Sequence, residues 1–423
     1  MEILRQGAYG TDVELLQTAL KRAEYIDGEI NKSFTGQIYK AVVSFQKNKG
    51  LVPDGIVGPS TWRVLRSYLT GYITWKVRSG DTLFNLSERF KTSVRAMVVA
   101  NPGISAVNLY SGQEIKIPLD FDVVPTDIDF TYNLLTLCIE GLKARYPFMK
   151  TSVIGTSILG KKLFAISIGR GKNKIMYNAS HHANEWITTI VLMKFIEDYL
   201  KDHSNLSIIL NSNTIDMYER STIYFVPMVN PDGVDLVTGA IPPGSDIYKK
   251  SEEMNYLNLP FPTGWKANIR GVDTNLNYPA GWEEAKKIKF EAGYIKQGPR
   301  DFVGEFPLSE PENRAMFDFS LKNNFNMTLS YHTQGQTIYW RYLHHLPARS
   351  YEIGKCFSDI STYLLEETPY ESGHAGYKDW FIQDFNKPGY TIECGLGESP
   401  LPLSQFDKIY KDNLGILTSA ALM

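Results

Sequence analysis

Apolar positions change their period along the chain, and three patterns follow one another. Between residues 4 and 66 they recur at helical spacing, with Leu15, Leu16 and Leu20 in one segment and Ala41, Val42, Phe45 and Gln46 in another. Positions three and four apart share a helix face, so this stretch predicts three short helices joined by loops. Residues 73–119 read as strand, helix, helix, strand. Trp75-Lys-Val-Arg-Ser-Gly80 opens the segment, Gly112-Gln-Glu-Ile-Lys-Ile-Pro118 closes it, and Asn101-Pro102 stops the second helix. Asp120 to Asp129 reads as a linker, with helix resuming near Tyr132.

Beyond the linker, short apolar runs alternate with longer amphipathic ones. Lys174–Asn178, Thr222–Val226, Met327–Tyr331 and Tyr390–Ile392 have strand length, whereas Ile187–Leu200 and Glu310–Lys322 have helix length. This alternation predicts an α/β unit: a mixed, mostly parallel sheet with helices on both faces. At 423 residues the chain exceeds one compact domain. The expected division is 1–70 (three helices), 73–119 (βααβ) and 120–423 (α/β).

Candidate chemistry sits where the apolar runs end. His181-His-Ala-Asn-Glu-Trp186 lies between a strand-like run and a helical one. His182 and Glu185, three apart at such a junction, can face one cation. Imidazole and carboxylate suit zinc, and two ligands plus a distant third leave a position open for water. His332 ends Met327-Thr-Leu-Ser-Tyr-His332, and Glu393 ends Gly389-Tyr-Thr-Ile-Glu393. Polar groups delivered by several strand ends define the site edge of an open α/β sheet. The implied chemistry is hydrolysis. Zinc polarises a carbonyl and acidifies water, and Glu393 takes that water's proton and passes it to the leaving amine. Taken singly, His332 reads as a buried core histidine and Glu393 as a paired carboxylate. His181 is expected to point away from the metal. Solvated or core roles are expected of His203, His344, His345 and His374.

With these residues in this order, 125–423 resembles the carboxypeptidase A superfamily of zinc carboxypeptidases. The resemblance makes His182, Glu185 and His332 the ligands of one zinc ion and Glu393 the catalytic glutamate. Val229-Asn-Pro-Asp-Gly233 and Gly271-Val-Asp-Thr-Asn275-Leu-Asn277 match further family phrases. The departures carry information. Family exopeptidases have Asn-Arg where this chain has Asn275-Leu276, and that arginine grips the substrate's C-terminal carboxylate through a bidentate fork. Leucine has no such fork, which points to a substrate that continues past the scissile bond. Lys378, near the family's specificity pocket, is the replacement cation to consider. The family's oxyanion arginine falls at Lys266 by spacing, with Arg270 as the alternative. Its mobile tyrosine falls near Tyr370, with Tyr377 competing.

The first segment, through Gly10-Thr-Asp-Val-Glu-Leu-Leu-Gln17, Phe45-Gln46 and Asp54-Gly-Ile-Val-Gly-Pro59, is similar to small peptidoglycan-binding domains. The second resembles a LysM domain, and the resemblance puts Thr82, Leu83 and residues 102–104 at a groove for N-acetylglucosamine. The plain alternative is that both are packing units without a ligand.

Composition narrows the partners. A net charge of −2 offers no field for nucleic acid or anionic membrane. No apolar run approaches the ~18 residues of a membrane span. Three cysteines, Cys138, Cys356 and Cys394, build no disulfide framework. Met1-Glu-Ile-Leu-Arg5 shows no charged and apolar leader, so no secretory signal peptide is expected. A bacterial wall or spore location would then follow release from the cytoplasm.

Together, the expected function is zinc-dependent cleavage of peptidoglycan stem peptides. The bond is the γ-D-glutamyl–diamino acid bond, with meso-diaminopimelate or lysine on the amine side. The resemblance is to γ-D-glutamyl-L-diamino acid endopeptidases. Alternatives are a wall carboxypeptidase that grips its terminus through lysine, and a non-catalytic wall-binding scaffold.

Overall fold

The computed structural model describes residues 1–209 and 212–423. Contacts divide the chain into two compact units, 1–129 with 133–150, and 130–132 with 151–423.

The first unit begins with three helices, Thr11–Arg22, Gly36–Asn48 and Pro59–Thr70. Val13, Leu16, Leu20, Val42, Phe45 and Leu65 fill the space between them. Gln46 interrupts the apolar stripe for a reason. Its buried amide donates to the Ile56 carbonyl (2.9 Å) and to Thr61 Oγ1 (3.1 Å), and its Oε1 accepts from the Gly55 amide (2.9 Å). It therefore supplies the backbone partners that the 54–58 loop lacks. The strands Tyr72–Lys76 and Glu114–Pro118 then pair antiparallel around the helices Leu83–Phe90 and Val94–Ala100. Thr82 and Asn85 form a reciprocal capping box at the first of these helices. Leu83 and Ile104, expected at a sugar groove, are buried with Val77, Leu86, Met97 and Ile117. They are core residues, because this small module has few other apolar side chains to enclose.

Asn133–Lys150 groups with this first unit. Helix Tyr132–Arg145 approaches it so closely at Gly141 that a Cβ there would meet the Thr70 carbonyl oxygen at 2.1 Å. Only glycine allows this approach.

The second unit is built on an eight-stranded sheet. In spatial order the strands are Leu364–Glu366, Thr337–Tyr339, Gly389–Glu393, Met327–His332, Asn173–Ala179, Ser221–Val226, Lys162–Gly169 and Lys150–Thr156. Its centre is parallel, from Gly389–Glu393 across to Ser221–Val226. Lys162–Gly169 and Thr337–Tyr339 join it antiparallel. The sheet is mixed with a parallel heart, as the alternating pattern predicts.

Successive strand residues face opposite sides, and Met176 and Tyr177 show what each side holds. Met176 packs in a cluster with Met316 of helix Pro311–Asn323 and with Trp380 and Phe381 of helix Tyr377–Phe385. Tyr177 lies against Phe195 of helix Ile187–Asn205 and donates to the Leu417 carbonyl of helix Phe406–Ala420 (2.8 Å). Helices thus cover both faces. Central strands covered on both sides hold mostly apolar or small side chains, and Met327–His332, with Thr328 and Ser330 among its residues, is buried at every position. No helix among the described residues is long and apolar enough to cross a membrane.

Glu14 gives the first unit a pH dependence. Burial, reinforced by Asp129, pushes its carboxyl up to about 8, and its Oε2 has no partner. The folded state therefore holds a proton that the unfolded chain releases near its ordinary value, and stability falls as pH rises from about 4.5 to 8. Glu14→Gln should remove this loss. Denaturant unfolding should show the variant gaining stability relative to wild type by on the order of 2 kcal/mol between pH 5 and pH 8. An equal difference at both pH values would contradict a buried, protonated Glu14.

Candidate metal centre and cleft

Three central strands deliver the site. Glu393 and His332 are the last residues of neighbouring parallel strands and lie in register. Ala179 ends the next strand, level with Tyr331. Ser180 then takes a left-handed conformation (φ 51°) and turns the chain out of the sheet. Its Oγ lies 2.7 Å from Thr189 Oγ1, which in turn donates to the Pro227 carbonyl. This turn directs His182 and the 3-10 turn Ala183–Glu185 over the strand ends.

His182, Glu185 and His332 are all buried, and their ligand atoms lie within 4.8 Å of one another. His182 Nδ1 is 2.9 Å from Glu185 Oε1, His332 Nδ1 is 2.9 Å from Glu185 Oε2, and the two Nδ1 atoms are 3.1 Å apart. Behind them, His182 Nε2 lies 3.0 Å from Asp273 Oδ1. An ionised carboxylate only accepts, so His182 Nε2 carries a proton toward Asp273, and in the neutral ring that a metal requires Nδ1 presents a lone pair. That lone pair meets a carboxylate oxygen and a second imidazole nitrogen. Three electron-pair donors crowd one buried point, and only a shared positive charge reconciles them. Two nitrogens and one oxygen fit the donor set of a catalytic zinc, with Asp273 fixing the tautomer of one ligand.

The local field shows the same demand for positive charge, which a second proton on His182 meets when no metal is bound. Burial alone would lower the His182 pKa, but Glu185 and Asp273 raise it to about 9. Burial pushes the Glu185 carboxyl up, but His182 and Lys266 hold it well below the usual range. Asp273 is held low against burial by His182. Burial and the Glu185 carboxylate push Glu393 up to about 8.

A cleft of about 330 Å³ opens on this cluster. His182, Lys266, Asp273, Asn275, Leu276 and Glu393 line it together with Lys289, Arg300, Asp301, Lys378 and Asp379. Lys266 Nζ lies 3.5 Å from Glu185 Oε1. Arg270 turns away: its Nη2 donates to Glu310 Oε2 (2.8 Å), and it does not line the cleft. Of the two cations weighed for the oxyanion, only Lys266 reaches the cluster. Arg270 is claimed by a carboxylate that is itself buried.

Other expected positions are placed differently. Tyr370 is exposed, with its hydroxyl 3.3 Å from Glu284, and it borders a separate hollow lined by Arg341, Tyr342 and Glu367. Tyr377 is a core residue bonded to Ser320 Oγ (2.8 Å). Lys378 lines the cleft but is buried, donating to the Arg341 carbonyl (2.8 Å) and Thr368 Oγ1 (2.9 Å), with Asp379 Oδ1 at 2.7 Å. Its ammonium is already saturated. His181 Nε2 pairs with the Tyr278 hydroxyl (3.1 Å), and its ring stacks against His332 at 5.8 Å without joining the cluster of three. Sequence reasoning gave no role to Asp273 or Arg300. Asp273 stood in a quoted phrase, whereas Arg300 lies in no motif and only the fold brings it to the cleft.

Comparison with known proteins fits this geometry. A family model described as zinc carboxypeptidase matches residues 136–415. The chain belongs to the zinc carboxypeptidase family. It is therefore a metallopeptidase, and the family implies Zn2+ at the His-Glu-His cluster. Residues 9–65 match a peptidoglycan binding domain and 76–118 a LysM domain, which associates the enzyme with cell-wall peptidoglycan. The chain is 39% identical over 392 residues to γ-D-glutamyl-L-diamino acid endopeptidase 1 of Lysinibacillus sphaericus, across 80% of this chain and 97% of that one. It is 39% identical to the uncharacterized protein YqgT of Bacillus subtilis (strain 168), across 65% of this chain and 72% of that one. The crystal structure of carboxypeptidase A from Helicoverpa armigera shares the fold, with a TM-score of 0.53, 16% identity, and coverage of 99% of this chain and 96% of that one.

Asp273 can be tested on metal affinity alone. Asp273→Asn should weaken zinc binding by about 10- to 100-fold, measured by competition with a chromophoric chelator. Unchanged affinity would remove Asp273 from the metal site.

Proposed function

We propose that this enzyme cleaves the γ-D-glutamyl–diamino acid bond of peptidoglycan stem peptides. The observation that carries this reading is Leu276. It lines the cleft beside Asn275, where an exopeptidase needs a guanidinium for the substrate's terminal carboxylate. Without that clamp, the substrate can extend past the scissile bond. The likeness to a γ-D-glutamyl-L-diamino acid endopeptidase over 97% of that relative supports the choice of bond, and the two wall modules support the choice of polymer. A spore-associated setting, suggested by the order of the modules, belongs to the same proposal.

The residues take roles from their positions. His182, Glu185 and His332 hold zinc, which when bound supplies Lewis acidity to the scissile carbonyl and to water. Glu393 is the general base and then the general acid. It stands beside the cluster in a buried place that raises its proton affinity, so it can both take the proton from water and return it to the leaving amine. Lys266 is a fixed positive charge where the carbonyl oxygen becomes negative. Asn275 and Leu276 shape the wall beside it, and Lys378 shapes the cleft near Thr368. Tyr370 serves this reaction only if its segment moves.

Mass spectrometry of purified muropeptides tests the bond. The expected outcome is chelator-sensitive release of a fragment carrying the intact diamino acid, leaving L-Ala-D-Glu. Removal of single C-terminal residues alone would make the enzyme a carboxypeptidase. Binding to sacculi without cleavage would make it a scaffold. Glu393→Gln should keep its zinc and lose about 10²- to 10⁴-fold in kcat, measured on the same muropeptides. A loss of metal in that variant would place Glu393 among the ligands instead.

A further inference from the structure

We infer that Arg300 is a specificity residue for the free α-carboxylate of γ-linked glutamate. This inference rests on the bond assignment above. Arg300 lines the cleft together with Lys266 and His182. The segment that carries it is tied to Lys266, because the amides of Lys266 and Ala267 both donate to the Pro299 carbonyl (2.8 and 2.9 Å). On its other side the segment is tied to the metal site's support, because the Asp301 amide donates to Asp273 Oδ2 (3.4 Å) and the Asp273 amide to the Phe302 carbonyl (2.8 Å). Arg300 therefore stands next to the charge that faces the scissile carbonyl, on a backbone with little freedom.

Its guanidinium is half used. Nε bonds Asp301 Oδ2 at 2.5 Å. The other oxygen of Asp301 is taken by Lys289 Nζ at 2.7 Å. Two cations share one carboxylate, leaving a net charge of +1 at this part of the cleft. Among the described residues the terminal nitrogens of Arg300 have no hydrogen-bond partner, and its side chain is 43% exposed. A guanidinium fixed through Nε and open at its terminal edge is set to receive a carboxylate through paired N–H donors. Lys378 cannot do this, since its three donors face protein oxygens.

Substrate chemistry supplies the matching anion. In an α-linked peptide the residue on the acyl side has no free carboxylate unless its side chain is acidic. When glutamate is linked through its γ-carbonyl, its α-carboxylate stays free on that acyl side, a few bonds from the carbon under attack. Lys266 faces the scissile carbonyl in the proposed reaction, and with Arg300 on the neighbouring backbone the inference puts the acyl-side carboxylate against this second cation. The pair would favour a γ-linked glutamate over an α-linked residue with a neutral side chain, by a charge that the latter does not present.

The test compares stem peptides whose glutamate α-carboxyl is free or amidated, using the zinc-loaded full chain. Wild type should prefer the free acid. Arg300→Gln should lose about 30- to 100-fold in kcat/KM on the free acid and change less than about threefold on the amide. Arg300→Lys, which keeps the charge but not the fork, should retain part of the preference. Zinc content and unfolding temperature identify a variant that has simply lost its fold, and Arg300→Lys then carries the comparison. Equal losses on both substrates, or a wild type indifferent to amidation, would overturn the role of Arg300. Failure of wild type to cleave either stem at this bond would overturn the bond assignment first, and this inference with it.

Discussion

Everything in the catalytic unit answers to one electrostatic problem. Three metal-binding groups, from His182, Glu185 and His332, converge in a buried place and need a shared positive charge. Like-signed ends of dipoles and a carboxylate do not stay together in low dielectric unless a cation joins them. The fold holds the arrangement ready. Neighbouring strands set His332 and Glu393 level, the left-handed Ser180 turns His182 back over the sheet, and Asp273 pins the outer nitrogen of His182. Folding in this way stores an unmet demand for positive charge, and zinc meets it. Lys266, 3.5 Å from Glu185, stays charged despite burial because the same carboxylates surround it.

Much of this was legible in the sequence, for a physical reason. A strand covered on both faces holds mostly apolar or small side chains, so a large polar residue that ends such a run is conspicuous. His332 and Glu393 announced themselves in that way, and His182 with Glu185 did so by spacing at a strand–helix junction. What stayed hidden depends on distance in sequence without periodicity. The contact between Asp273 and His182 spans 91 positions. Arg300 reaches the cleft only because Pro299 accepts two amides from the Lys266 segment. Leu83 and Ile104 misled in the opposite sense. A motif match suggested surface, whereas the small module needs its few large side chains inside. The choice between Lys266 and Arg270 was open in the sequence because both are cations near the right spacing. It turned on Glu310, a buried carboxylate forty residues away from Arg270 that needs a counter-charge.

The cleft's charges also bear on why Leu276 is tolerated where a family exopeptidase has arginine. An arginine there, with no carboxylate terminus to bind, would be a buried unpaired charge near zinc and Lys266, and would work against both. Removing it leaves room for more chain and concentrates the positive charge around Lys266 and Arg300. Lys378 and Asp379, by contrast, are both buried and neutralise each other at 2.7 Å. Their part of the lining is polar but carries no net charge.

The wall-binding modules change what this cleft must supply. Binding energy that holds ground state and transition state equally lowers KM without speeding the chemical step. A chain already held on its polymer meets each stem peptide at a high effective concentration set by the tether. The catalytic unit can then leave its cleft small and mostly polar, and apply its few charges where charge develops or where the bond is identified. In the proposed reaction Lys266 has the first task and Glu393 moves the proton. Neither needs the broad apolar grip on a substrate's end that an untethered exopeptidase requires, and this is the physical sense in which the loss of the carboxylate clamp and the gain of two wall modules belong together.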